Sequence, residues 1–135
     1  MKREKALSLL KSAGALLEGH FLLTSGNHSG SYIQCALLLS RPELALPFME
    51  DIAEHVGGAA VDTVVSPAVG GIIVSYEVAR IMGKRALFCE REGGRMSFRR
   101  GFSLAAGERV LIVEDVVTTG GSVMEVADTV GGMGG

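Results

Sequence analysis

Apolar residues along this chain switch between helical spacing and short unbroken runs, and the switches lay out its elements. Ala6, Leu7, Leu10, Ala13 and Leu17 recur every three or four residues, which predicts an amphipathic helix closing near Gly19. Residues 20–24 and 31–35 are expected to be extended, separated by Ser25-Gly26-Asn27-His28-Ser29-Gly30, whose composition favours a turn. Ser40 followed by Pro42 opens a second helix, with Ala45, Phe48, Ile52 and Val56 on its inner face and Gly57-Gly58 ending it.

From Asp62 the order becomes strand, turn, helix, three times over. Residues 63–66 lead to a helix over 72–82, residues 86–89 to a long loop, and residues 110–113 to a helix over 123–130. Short β-branched runs alternating with helices predict an α/β fold with a parallel sheet covered by helices on its faces. The third helix runs into Gly131-Gly132-Met133-Gly134-Gly135, and a further strand is expected after it, so a C-terminal portion is anticipated beyond Gly135. Residues 1–135 read as one domain, with a small N-terminal segment over about 1–40 and a core over about 41–135.

With 135 residues, 47% of them hydrophobic, the chain has material for one continuous core, and a net charge of −2 gives no reason to expect a nucleic-acid partner. Every apolar stretch is interrupted well short of the roughly 18 residues a membrane span needs, and Met-Lys-Arg-Glu-Lys is followed by no signal-peptide core. A cytoplasmic protein without membrane contact is the expectation. Cys35 and Cys89 stand in no CxxC pair and near no histidine at ligand spacing, so both are read as small core residues and no protein-held metal is expected.

Chemistry concentrates in residues 110–122. An apolar strand delivers Glu114 and Asp115, then Val116 and Val117, onto the turn Thr118-Thr119-Gly120-Gly121-Ser122 before the last helix. Such a turn offers free backbone N–H groups, hydroxyls and close approach, which together can cradle a phosphate without a cationic side chain. Two carboxylates beside a phosphate would repel it unless they serve something else, either sugar hydroxyls or a bridging divalent cation. The turn has neither the Gly-Lys-Ser/Thr of a nucleotide triphosphatase loop nor a G-x-G-x-x-G dinucleotide pattern. A second loop, Ser66-Pro67-Ala68-Val69-Gly70-Gly71, opens on the same edge of a parallel sheet and ends at a helix N-terminus. Of the 13 lysines and arginines, six lie between residues 84 and 100, and the segment from Arg91 to Gly101 reads as a mobile hairpin or lid, with a solvated basic face as the alternative.

The run 110–122 resembles the phosphoribosyl-pyrophosphate signature of the type I phosphoribosyltransferases. Residues 19–33, an extended stretch passing through Ser25-Gly26 to Tyr32-Ile33, are similar to the orotate-specific branch of that family. The resemblance implies that the N-terminal segment is a hood over the base. It implies that Glu114 and Asp115 meet the ribose hydroxyls of phosphoribosyl pyrophosphate (PRPP), and that the turn from Val116 through Ser122 holds its 5-phosphate. Val69 and Gly70, with Arg91 and Arg95, would meet the pyrophosphate; Thr24, Tyr32, Ile33 and Thr118 would line the orotate pocket. Arg91, Arg95 and Asp115 would be the catalytic residues, Mg2+ the cofactor, and a homodimer the assembly. Many members carry lysines where this chain has Thr24 and Gly70, which would leave Arg91 and Arg95 a larger share of the diphosphate charge. His20 and His28 read as polar turn residues, since a readily deprotonated ring nitrogen needs no general base. A PRPP-binding regulator without activity and a purine salvage transferase are the competing readings.

Overall fold

The computed structural model describes every residue except Thr24 and Gly58. It divides into two compact units, Met1–Phe48 and Met49–Gly135. Among the described residues, no helix is long and apolar enough to cross a membrane.

In the first unit, α1 (Arg3–Ser12) is followed by the antiparallel strands β1 (Leu16–Leu22) and β2 (His28–Ile33) and the short helix α2 (Cys35–Leu39). The predicted helix stops seven residues early. Gly14 takes φ +69°, and the N–H groups of Gly14 and Ala15 close back onto Lys11 and Leu10, so Leu16 and Leu17 enter a strand although their spacing also suits a helix. Residues 34–35, expected to be extended, instead turn into α2, with Leu38 and Leu39 buried. Glu18 pairs with Ser31 and Phe21 with Ser29, leaving Gly19 and His20 opposite Gly30 alone, a bulge in β1. The bulge brings His20 Nε2 within 2.7 Å of His28 Nδ1, so both histidines lie on strands rather than in the turn. Helix α3 (Pro42–Val56) starts where Ser40 and Pro42 predict and runs across the boundary between the units.

The second unit carries a four-stranded sheet in the order β5-β4-β3-β6. Strands β3 (Thr63–Pro67), β4 (Arg85–Glu92) and β6 (Val110–Ile112) are parallel, as their apolar runs predict. The sheet is mixed rather than wholly parallel, because the expected long loop contains β5 (Arg95–Phe98), which folds back antiparallel to β4 across Gly93-Gly94. Helices α4 (Gly71–Met82) and α5 (Gly121–Gly132) follow β3 and β6. Every residue of β3 is buried, as a central strand requires. Val65, Leu87, Cys89, Leu104, Val126 and Val130 form the core under α5, extended by Met96, Phe98, Phe102, Val110 and Ile112. The Cys89 thiol is a fully buried core group whose burial pushes its pKa up to about 11, and neither it nor the half-buried Cys35 is in a disulfide. Parallel β3, β4 and β6 end at one edge, so the loops that leave β3 and β6 open side by side.

Candidate active site

The acidic pair and the loop after β3 meet at that edge. Backbone N–H of Val113 donates to Val65 O at 2.9 Å, which extends the β3–β6 register to the last residue before Glu114. A Cβ added to Gly70 would collide with the Asp115 carboxylate, at 2.7 Å from its Cγ. One added to Gly71 would stand 3.2 Å from Glu114 Oε1. The loop 66–71 thus lies close against both carboxylates, and a side chain at either glycine would crowd one of them.

Glu114 and Asp115 are both partly exposed, and the backbone N–H of Asp115 donates to Glu114 Oε1 at 3.1 Å. Burial and then the neighbouring Asp115 raise the Glu114 pKa to about 7, against the opposing pull of that N–H. Glu114 therefore keeps its proton well above the ordinary carboxylate range. A carboxylate shifted this way at the carboxyl ends of parallel strands marks a place where charge is held ready for a ligand.

Residues 116–119 run exposed from the pair into the turn, and Gly120 takes φ +82° to reverse the chain into α5. Glu114 and residues 116–123 line a concavity of about 60 Å³ at the N-terminus of α5, where free N–H groups and the helix dipole favour an anion. A larger cavity of about 530 Å³ lies at the opposite edge, lined by Val61, Asp62, Lys84 and Arg109, which precede β3, β4 and β6. It contains none of the residues that point to chemistry.

The basic segment is an ordered hairpin whose arginines face carboxylates. Arg91 makes a bidentate pair with Glu125 of α5 at 2.7 and 2.8 Å; Arg99 pairs with Glu92 at 3.3 Å, and Arg100 with Glu90 at 2.7 Å while lying over the Phe88 ring. Arg95, exposed at the start of β5, makes no ion pair among the described residues. Glu125 was not singled out by its sequence position, because nothing local marks a helix glutamate as the partner of an arginine 34 residues away.

Tyr32 and Ile33 stand at the end of β2 in the first unit, each 40% exposed, with the Tyr32 ring 5.8 Å from that of Phe21. Thr24 lies outside the described residues. No group of three or more His, Cys, Asp or Glu residues that could hold a metal occurs among the described residues.

Residues 46–135 match the phosphoribosyl transferase domain family. The whole chain is 53% identical to an orotate phosphoribosyltransferase of Desulforamulus reducens and covers 71% of that protein's length. An orotate phosphoribosyltransferase structure from Aeropyrum pernix superposes with a TM-score of 0.73 at 27% identity, covering 94% of this chain and 73% of that one. Adenine phosphoribosyltransferase from Saccharomyces cerevisiae also superposes with a TM-score of 0.73, but at 18% identity it shares only the fold, over 98% of this chain and 82% of its own. A strand-end acidic pair packed on a glycine loop, beside a Thr-Thr-Gly-Gly-Ser turn and within a chain half identical to orotate phosphoribosyltransferases, has one reading: this protein belongs to the orotate phosphoribosyltransferases and serves pyrimidine biosynthesis.

Proposed function

We propose that the second unit binds PRPP along the edge where β3 and β6 end, and that the ribose 5-phosphate is passed from there to orotate, giving orotidine 5′-monophosphate and pyrophosphate. The observation that carries this reading is the contact of loop 66–71 with Glu114 and Asp115. On this reading a pyrophosphate site, a ribose site and, a few residues on, a phosphate turn follow one another along that edge. Glu114 and Asp115 accept hydrogen bonds from the ribose hydroxyls, Val116 to Ser122 hold the 5-phosphate, and the backbone at Val69 and Gly70 meets the diphosphate. Thr118, within that turn, also meets the base.

The reaction breaks the bond between the anomeric carbon and pyrophosphate. Positive charge develops on the sugar ring while negative charge grows on the leaving group. Ionised Glu114 and Asp115 favour the first, and Arg91 and Arg95 the second. No side chain needs to form a covalent bond. Arg95 is already available, whereas Arg91 must leave or share its pair with Glu125.

The described residues form no metal cage, so Mg2+, which prefers phosphate oxygens and water, would arrive on the diphosphate of the substrate, where it neutralises charge on the leaving group. The exposed hairpin would reach the site of a second copy in a homodimer, and the protein would work in the cytoplasm. Ultraviolet assay with PRPP and Mg2+ against orotate, adenine, hypoxanthine and xanthine tests this reading. Turnover of orotate alone is expected; turnover of a purine alone overturns the base assignment, and PRPP binding without pyrophosphate release overturns catalysis.

A further inference from the structure

Two buried serines sit where the packing calls for apolar side chains. Ser66, the fourth residue of β3, and Ser75, on the first turns of α4, are at most 1% exposed. The Ser66 hydroxyl donates to Ser75 Oγ at 3.0 Å, and Ser75 donates in turn to Ile72 O at 2.9 Å. A pair of alanines would fill similar space without the desolvation that two hydroxyls require. What the hydroxyls add is a set distance between the end of β3 and the first turn of α4.

Gly71 lies within that clasp. A Cβ there would stand 2.9 Å from Ser66 Cβ and 3.5 Å from Pro67 Cδ on one side, and 3.2 Å from Glu114 Oε1 on the other. The Ser66 side is held by its hydrogen bond and the strand, so any methyl at position 71 must push outward against Glu114. Gly70 differs: its added Cβ would meet only the carboxylate end of Asp115, which can rotate. We propose that Gly71, fixed by the Ser66–Ser75 hydroxyl pair, is a positioning residue whose bare Cα forms the floor under the Glu114 carboxylate and sets where that carboxylate meets the sugar.

The inference rests on the ribose placement proposed above, and its test separates the two. The Glu114 carboxyl is followed by carbon-13 NMR across pH in the unmodified chain, in Gly71→Ala and in Ser75→Ala, with Gly131→Ala, whose added methyl meets nothing within 4 Å, as control. Titration near pH 7 is expected in the unmodified chain and the control, at least about one unit lower in Gly71→Ala, and shifted the same way but less in Ser75→Ala. In steady-state assays the KM for PRPP should rise about tenfold in Gly71→Ala while the KM for orotate stays within about twofold. An unmoved Glu114 titration in both variants overturns the proposal. So does an equal loss toward both substrates with a lowered Tm and an intact titration. If Gly71→Ala does not fold, Ser75→Ala decides alone. Should Glu114→Gln leave the PRPP KM unchanged, the ribose placement fails, while the NMR titration still decides whether Gly71 seats the carboxylate.

Discussion

The two edges of the same sheet treat carboxylates in opposite ways. Where the parallel strands begin, Asp62 accepts from the backbone N–H and guanidinium of Arg109, and Glu108 is bound by Arg85 and the Thr63 hydroxyl. Both acids are held below the ordinary carboxylate range, Asp62 chiefly by the Arg109 N–H and Glu108 chiefly by Arg85. Where the strands end, Glu114 faces a second carboxylate and the glycine end of the loop after β3, and its pKa rises to about 7. Charges matched with cationic partners serve the fold, whereas like charges placed side by side make each other's ionisation more costly. The larger cavity belongs to the first edge and the small concavity at the N-terminus of α5 to the second.

The sharpest way to break this contrast is to remove a carboxylate where the strands end. Asp115→Ala should lower kcat/KM for PRPP by about 100-fold or more while leaving Tm unchanged or higher, since a like charge is lost beside Glu114. A loss under about threefold would end the functional reading of that edge. Next in size, Arg95→Ala should reduce kcat/KM by about 10- to 100-fold through weaker stabilisation of the departing diphosphate. Arg91→Ala should lose less, because that cation is shared with Glu125, and the order of the two variants in a pyrophosphate-release assay checks it.

Proton linkage gives a subtler test, with opposite signs at the two edges. Glu114 binds its proton more tightly in the native state, so the stability it contributes is present below pH 4.5 and is lost as pH rises toward about 7. Asp62, with its pKa lowered from 3.8, contributes stability that is present above that value and is lost as pH falls through its native pKa. Thermal melts of Glu114→Gln should therefore lack the decline in Tm that the unmodified chain shows between about pH 5 and 7. In the same window, kcat/KM for PRPP should climb as Glu114 ionises. The smallest effect belongs to Arg109→Ala: an exposed ion pair far from the chemistry should change Tm by no more than about 2 °C and kcat/KM by less than about twofold.

Much of the second unit was legible because its signals are local. Thr63 to Val65 and Val110 to Val113 are unbroken apolar or β-branched runs, and the helices after them keep their spacing for three turns. The first unit was harder, since Leu16 and Leu17 satisfy both periods and only the positive φ of Gly14 decides against the helix. Strand β5 was hidden in a segment that alternates charge with apolar residues around two glycines, a pattern shared by hairpins and loose loops. At the site, residue types and their order revealed the acidic pair and the turn. The Ser66–Ser75 clasp and the Arg91–Glu125 pair depend on how elements approach one another, although a lone serine among Ile72, Val74, Val78 and Ala79 was a visible irregularity in α4.

The pair between Arg91 and Glu125 also sets the mechanics of the hairpin. It rivets one arm, two residues before the Gly93-Gly94 tip, to the helix that follows the Thr-Thr-Gly-Gly turn. At about 3.3 Å per residue, the stretch beyond the rivet is a lever of roughly 7 Å. Bending at the glycines sweeps only that tip, whereas a wider swing of the arm must first unfasten it from α5.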